Sequence, residues 1–339
     1  MRATLIAAAL HLAAAKPSAE RQLQVERSNL LAQGVWTADA QGRFGELPVG
    51  TVADLCGVNT FGGAHLRASD PDDPLFVHAP IVSDATAASV PDSFDSEAHW
   101  PSCAKVIGDI RDQSHCGCCW AFGAASAASD RACIATNGTI ALPFSAQDTC
   151  FNAGGGDGCS GGGIDGPWEW FAKTGVVTGT QQLVDAAPTP SDPFYGAALC
   201  SAFALPHCHH HGPTGADVYP AEGAPGCPQG VTPAGPTACD AGAKAPHADY
   251  AVDKYSFVGK VEAYPNDVAT VQAAIMAGGP VETAFTVYAD FEDYAGGVYF
   301  HTNETVIGGH AVRIVGWGQE TLTNGTVVPY WKVANSWNP

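Results

Sequence analysis

Twelve cysteines behind a short apolar leader constrain this chain more than any other feature. Arg2 precedes an apolar run at 5–12, and Ala13, Ala14 and Ala15 follow it. These are the charged, hydrophobic and small-residue regions of a secretory signal peptide, expected to occupy 1–15. A chain routed this way folds under oxidising conditions, so its cysteines read as a disulfide framework rather than as zinc ligands. Asn137-Gly-Thr, Asn303-Glu-Thr and Asn324-Gly-Thr are glycan acceptor sequences that agree with the route. The expected location is the secretory pathway, ending in a lysosome, a vacuole or outside the cell.

With 339 residues, 46% of them hydrophobic and 14% charged, the chain has enough apolar material for one or two cores. A net charge of −19 with only 15 Lys and Arg argues against nucleic acid, whose phosphates need clustered cations. Beyond the leader no stretch approaches the roughly 20 apolar residues a membrane-spanning helix needs. A soluble monomer is expected, with no metal and no cofactor.

Residues 16–89 have weak periodicity and clusters of Pro and Asp, as at 70–74, and read as an accessory segment or a linker. Compact signals begin at Val90. Residues 119–134 are rich in Ala, carry Trp120 and Phe122, and are followed by Asn137-Gly138, which predicts a buried helix with Cys119 in its first turn. A second helix is predicted over 164–174, closed by Gly175. A third is predicted after Asp267, with Val268, Val271 and Ile275 on its apolar face and Gly278 behind. Past Pro280 the pattern changes to β-prone runs at 281–288, 311–317 and 330–334. Helices first and strands later predict an α+β, two-lobed architecture. Between them, 200–246 is rich in Gly, Pro, Ala and Cys without periodicity and reads as a long, disulfide-stapled loop.

The chemistry concentrates at Gln113-Ser-His-Cys116-Gly-Cys118-Cys119-Trp120. A thiol that opens a helix can be held as thiolate by the helix dipole and a nearby imidazolium, and the thiolate is the competent nucleophile. Read alone, the three cysteines serve equally well as disulfide partners. Gly308-Gly309-His310-Ala311 at the head of one strand and Asn335-Ser336-Trp337 after another complete the order Cys, His, Asn. Triad chemistry needs all three: an imidazole to take and return the proton, and an amide to fix its tautomer.

From Val90-Pro-Asp-Ser-Phe-Asp to Asn335-Ser-Trp-Asn the chain resembles the papain-like cysteine peptidases, the cathepsin B group above all. The blocks that carry the likeness include Arg111-Asp-Gln, Cys119-Trp-Ala-Phe-Gly, Gly156-Asp-Gly-Cys159-Ser-Gly-Gly162, Gly279-Pro-Val-Glu, Gly308-Gly-His-Ala-Val-Arg-Ile-Val-Gly-Trp-Gly and Val333-Ala-Asn-Ser-Trp-Asn. The resemblance implies a papain-like domain over 90–339, with a helical left lobe and a barrel-like right lobe. It implies Cys119 as nucleophile, His310 as base and then acid, Asn335 as the group orienting His310, and Gln113 with the Cys119 N–H as oxyanion donors. Gly161, Gly162, Ala284 and Gly309 would line the substrate backbone, and Trp337 would shield the His310–Asn335 bond. Peptides and proteins are the implied substrates, and cystatin-like proteins possible inhibitors.

Spacing checks this independently. The papain Cys and His are separated by about 130–150 residues, whereas 191 separate Cys119 from His310. The excess is comparable to the Cys-rich loop at about 200–245, where the cathepsin B group carries its occluding loop. There Cys208-His209-His210-His211 resembles the family's Cys-Glu-His-His, which implies that His210 and His211 receive a substrate's C-terminal carboxylate, although His209 replaces the acidic residue. The open alternatives are a solvated His run or an adventitious metal site. Residues 16–89, through Trp36-Thr-Ala, Phe44 and Leu55-Cys56-Gly57, resemble the short propeptide that runs backwards through the cleft and silences the zymogen. Cleavage is expected near 89–90.

The resemblance also implies bridges Cys103–Cys133, Cys116–Cys159, Cys208–Cys227 and Cys200–Cys239, leaving Cys118 and Cys150 over. Cys118 stands where the family has Ser, and simple replacement is the expectation. The family continues past the Asn-Ser-Trp block through strands that close the β lobe and carry the floor of the second subsite, whereas this sequence ends at Pro339. An inactive homologue acting as a binding protein is therefore a second reading. A redox protein built on Cys116-Gly-Cys118-Cys119 is a third, against which stands the lack of a thioredoxin-like βαβ pattern.

Overall fold

The computed structural model describes residues 17–45, 47–61, 64–65, 77–80, 90–154, 156–180, 194, 197–205, 231–257, 261–264 and 267–338. The expected signal peptide, His210, His211 and the expected Cys208–Cys227 bridge lie outside the described residues.

The N-terminal segment opens with helix α1, Ala19–Ala32, capped by the Ser18 hydroxyl. Its buried face is Arg21, Val25, Ser28 and Ala32, while Leu23, Leu30 and Leu31 point outwards. That inversion explains why 16–89 shows no apolar periodicity: the helix docks through an arginine and small residues. Arg21 is buried, with Nη1 on Asp293 Oδ1 at 2.5 Å and Nη2 3.4 Å from Glu292. After α1 come β1 (Trp36–Ala38), a 3-10 turn (Thr51–Leu55), β2 (Val58–Phe61), β3 (Ala64–His65) and β4 (Val77–Pro80). So 17–80 is an ordered accessory segment in its described parts, not a linker.

Then follow β5 (Phe94–Asp95) and the short helices α2 (Ser96–His99) and α3 (Ala104–Ile107). Helix α4 runs Cys119–Ala135, and fourteen of its 17 residues are buried, as befits a helix that is apolar or small all round. It stops where Asn137 and Gly138 take left-handed φ values of 49° and 83°. Next are α5 (Ala146–Asn152), β6 (Gly162–Gly163) and α6 (Asp165–Lys173), the last closed by Gly175 at φ 79°. After the loop come β7 (Val261–Tyr264), α7 (Val268–Gly278), β8 (Val281–Tyr288), β9 (Tyr294–Gly297), β10 (Val306–Thr321) and β11 (Val327–Ala334).

The helices lie first and the main strands last, as the residue pattern predicts. The large sheet has the order β11-β10-β8-β4-β7, antiparallel throughout, with β5 also on β10. It is open: β11 and β7 lie at opposite ends, and no closed barrel forms among the described residues. The strand predicted at 311–317 extends back to Val306, because Gly308, Gly309 and His310 all pair with β8. Three strands of the accessory segment pair with the rest of the chain: β1 with β9, β2 with β6, and β4 with both β7 and β8. No helix among the described residues is long and apolar enough to cross a membrane.

Helix and sheet are locked by Arg313 of β10. Its Nη1 donates to Asp130 of α4 at 2.7 and 2.6 Å, and Nη2 donates to the carbonyls of Ile107 and Asp109 at 2.8 and 2.6 Å. Both side chains are buried. Among the described residues four disulfides add covalent ties: Cys103–Cys133, Cys116–Cys159, Cys118–Cys150 and Cys200–Cys239. Cys118 is thus a bridge partner rather than a simple stand-in for Ser. Of the glycan acceptors, Asn137 and Asn324 stand exposed in turns and Asn303 is half-buried.

Removing one partner of a buried pair strands the other charge. Arg313→Ala should therefore lower unfolding stability by about 3–5 kcal/mol, read from the urea midpoint by Trp fluorescence. A loss under about 1 kcal/mol, the range of exposed pairs, would show that the pair does not hold the halves together.

Candidate active site

The mouth of α4 is fixed by sulfur. Cys116 is tied to Cys159, and Cys118, the residue before the helix, is tied to Cys150 of α5. The Sγ atoms of Cys116, Cys118 and Cys150 lie within 4.8 Å of one another. Cys119 follows as the first helical residue, fully buried and unbridged. The main chain of Gly117 and Cys159 closes this corner with an N–H to carbonyl bond of 3.0 Å.

On β10, His310 is fully buried, and Nε2 lies 2.7 Å from Asn335 Oδ1 at the end of β11. With a carbonyl oxygen facing it, Nε2 carries the proton of the neutral ring, an assignment made from the hydrogen-bond pattern. Nδ1 is then the lone-pair atom, and it makes no hydrogen bond among the described residues. Trp337 lies over the ring with centroids 4.5 Å apart, and Phe285 meets it edge-on at 5.9 Å. Trp337 in turn packs edge-on against Phe44 of the accessory segment. The Ala311 backbone beside His310 reaches the Cys119 thiol, so β10 brings the imidazole and sulfur into one corner.

Gln113 is buried between them and the C-terminal turn. Its Oε1 accepts from Ser336 Oγ at 2.6 Å and Trp337 Nε1 at 3.2 Å, which turns Nε2 inward. Nε2 donates to the carbonyls of Leu55 and Cys116, both at 2.8 Å. Gln113 and Cys119, with His310 and Asn335 from about 200 residues further along the chain, therefore share one site. Ala284 of β8 pairs with Ala311, and Gly309 with Thr286, at the same end of the sheet. Gly162 lies against Trp120, and Gly161 lies against Asn59 of the accessory segment.

Over this site runs Leu55-Cys56-Gly57-Val58. The Gly57 N–H donates to Cys119 Sγ at 3.2 Å, and its carbonyl accepts from Gly162 N at 2.8 Å. Strand β2 continues along β6 in parallel. The sulfur thus accepts a peptide N–H of the covering segment. Gly57 is required sterically, because a Cβ there would lie 1.8 Å from the Gly117 carbonyl oxygen. His115 contacts Asp54 of the same segment at 3.1 Å.

The cover also sets the charge state. Burial pushes the Cys119 thiol up to about 11, with the nearby Glu282 adding to the rise and the amides of Ala311, Gly57 and Trp120 opposing it. Burial pulls His310 down to about 4, against the hydrogen bond to Asn335 and the backbone of Leu55. Both shifts favour the uncharged forms, as desolvation does. At neutral pH the covered site holds a thiol and a neutral imidazole, not an ion pair.

Sequence reasoning missed two groups here. Cys56 passed as part of a tripeptide, yet it lies one residue from the amide that touches Cys119. Glu282, quoted only within its block, is fully buried, accepts from Trp168 Nε1 at 2.7 Å, and has its carboxyl pushed well up by burial. No local signal marks either; their partners are distant in sequence.

Residues 90–339 match the family described as papain family cysteine protease. Cathepsin B-like cysteine proteinase 6 of Caenorhabditis elegans is 36% identical over 316 residues, spanning 90% of this chain and 73% of that protein. Cathepsin B-like cysteine proteinase 4 of the same organism is 42% identical over 271 residues, spanning 77% and 72%. Among solved structures, proCathepsin B S9 from Trypanosoma congolense is similar with a TM-score of 0.63 and 27% identity, covering 93% of this chain and 87% of that one. A digestive procathepsin L 3 of Tenebrio molitor larval midgut shares the fold with a TM-score of 0.51 and 16% identity, covering 94% and 79%.

Two measurements probe the cover. In the intact chain, Cys119 alkylation followed by peptide mapping should titrate with a midpoint near 11; a midpoint at or below the ordinary thiol value would contradict the burial argument. Gly57→Ala should lift the segment and speed Cys119 alkylation at neutral pH at least about tenfold, equivalent to losing about 1.4 kcal/mol of seating.

Proposed function

The chain belongs to the papain family of cysteine proteases and is cathepsin B-like, and on that premise we propose that it hydrolyses peptide bonds through an acyl-enzyme on Cys119. In this reading His310 Nδ1 takes the thiol proton and returns it to the leaving amine, while Asn335 holds the ring through Nε2. Gln113 Nε2 and the Cys119 N–H stabilise the oxyanion. The observation that carries the reading is the contact set of Gln113 Nε2, which donates to a peptide carbonyl, that of Leu55, beside Cys119. A substrate carbonyl in that position would find the same donor.

Residues 16–89 act as the propeptide and hold the enzyme silent, with the peptidase domain over 90–339. The Gly57 contact with Cys119 and the parallel β2–β6 pairing support this. Release restores water to the cleft and removes the burial that keeps Cys119 and His310 neutral. The thiol then falls and the imidazole rises, so a thiolate–imidazolium pair becomes accessible. Gly161, Gly162, Ala284 and Gly309 line the substrate backbone, and Trp337 keeps water from the His310–Asn335 bond.

The loop at about 200–245 adds dipeptidyl carboxypeptidase action through His210 and His211. Its described feet are anchored beside the site: Cys200 is bridged to Cys239, the Cys159 N–H donates to Thr232 Oγ1, and Asn152 donates to the Pro236 carbonyl. Imidazolium binds a substrate carboxylate and is lost as pH rises through about 6.5. Dipeptide release therefore strengthens in acid and weakens toward neutrality.

After acid activation, an epoxysuccinyl inhibitor should label Cys119, mapped by mass. Cys119→Ser should lower kcat/KM at least about 10³-fold. Correctly folded protein with no adduct on Cys119 would instead support a noncatalytic binding role. His210→Ala should reduce dipeptide release from free C-termini while sparing internal cleavage; unchanged release would remove the loop from the reaction.

A further inference from the structure

Eight of the described cysteines are paired, and the two that are not, Cys56 and Cys119, meet at the covered site. Their approach follows from the main chain. The Gly57 nitrogen lies 3.2 Å from Cys119 Sγ, and the Cα of Cys56 lies two bonds from that nitrogen, roughly 2.4 Å away by standard bond lengths. Cys56 Cα is therefore no farther than about 5.6 Å from the Cys119 sulfur. In a disulfide the Cα of one residue lies about 3.4–4.5 Å from the far sulfur, by its bond lengths and angles, so rotation of the Cys56 side chain with a shift of at most about 1–2 Å spans the gap.

The surroundings favour the meeting. Gly57 is wedged against Gly117, and Cys56 sits where a side chain on Gly308 would collide with its Cβ at 2.5 Å. The segment cannot slide without losing the Gln113 contact to Leu55 and the Gly162 contact to Gly57. Exposure is unequal: Cys56 is partly accessible, whereas Cys119 is closed off. A small reagent can reach Cys56 but not Cys119.

We propose that Cys56 and Cys119 form a reversible disulfide across the seated segment, a redox modification site that locks the propeptide covalently onto the nucleophile. The inference rests on the reading of Cys119 as nucleophile and of 16–89 as its inhibitor. The oxidant is a low-molecular-weight disulfide such as oxidised glutathione. The Cys56 thiolate attacks one glutathione sulfur, forming a mixed disulfide and releasing one glutathione thiolate. Cys119, as thiolate, then attacks Cys56 Sγ, which forms the internal bond and expels the second glutathione. The two protons lost by the cysteines end on the two glutathione thiols, and one disulfide is reduced for each formed. Burial raises both thiols, and the charge of Cys119 adds to the rise at Cys56, so exchange is slow in the seated state and quickens with alkaline pH. Acid alone does not open the locked form; a thiol reductant must first attack the partly exposed Cys56 sulfur.

The test uses the intact chain incubated with oxidised glutathione at alkaline pH, quenched in acid, blocked with maleimide and digested without reductant. Mass mapping is expected to recover a peptide linking Cys56 to Cys119. That material should fail to activate in acid until dithiothreitol is added. Cys56→Ser treated identically should give no linked peptide and should activate without reductant. Recovery of Cys56 as a glutathione mixed disulfide with Cys119 still free after prolonged oxidation would overturn the proposal, as would linked protein that activates without reductant. The linked peptide is read by mass, so a chain that proves to lack peptidase activity would refute the functional reading while leaving the bridge decided separately.

Discussion

The contact between a backbone N–H and a buried sulfur organises everything else in this protein. A thiol at the mouth of a helix has an intrinsic bias toward ionisation, because the dipole and free amides favour negative charge. Here that bias is overruled by desolvation: Cys119 has no exposed surface, and its thiol stands near 11. The Gly57 amide is part of what favours charge, yet the segment that brings it also removes the water that favours charge far more. Burial wins, and the same burial holds His310 neutral.

That contact requires accurate placement from both sides. On the enzyme side, the mouth of α4 is pinned by two disulfides that share a corner, and α4 is held to β10 by the Arg313–Asp130 pair. Since β10 also carries His310, the ion pair fixes the imidazole and the helix relative to each other. On the covering side, Arg21 anchors α1 on Asp293, β1 pairs with β9, and β2 pairs with β6. The covering segment is threaded through the fold at several points, so its seat on Cys119 does not depend on a single peptide hydrogen bond.

Glycines make the close approaches possible. Gly57 and Gly117 cross where no side chain fits, and Gly308 leaves room for Cys56. The glycines that line the site also leave main-chain groups free to pair with an extended peptide. In this structure that peptide is the chain's own, running parallel to β6 with the Gly57 N–H on the sulfur.

Much of this was legible in consecutive residues. The helix at Cys119, its stop at Asn137-Gly138, the helix after Asp267 and the strand at 281–288 follow from small-residue runs, caps and alternation, which are properties of neighbours in the chain. The order Cys119, His310, Asn335 and the blocks around them pointed to the family for the same reason. Other features were not legible. Helix α1 buries an arginine and exposes its leucines, so its pattern is set by the partner it docks on. The Cys118–Cys150 bridge, the placement of Cys56 beside Cys119 and the neutral state of Cys119 and His310 depend on segments tens to hundreds of residues apart. Local sequence determines which elements form and which chemical groups they carry; only the tertiary structure decides which of those groups are stripped of water and set against one another, because desolvation and contact are properties of packing and not of order along the chain.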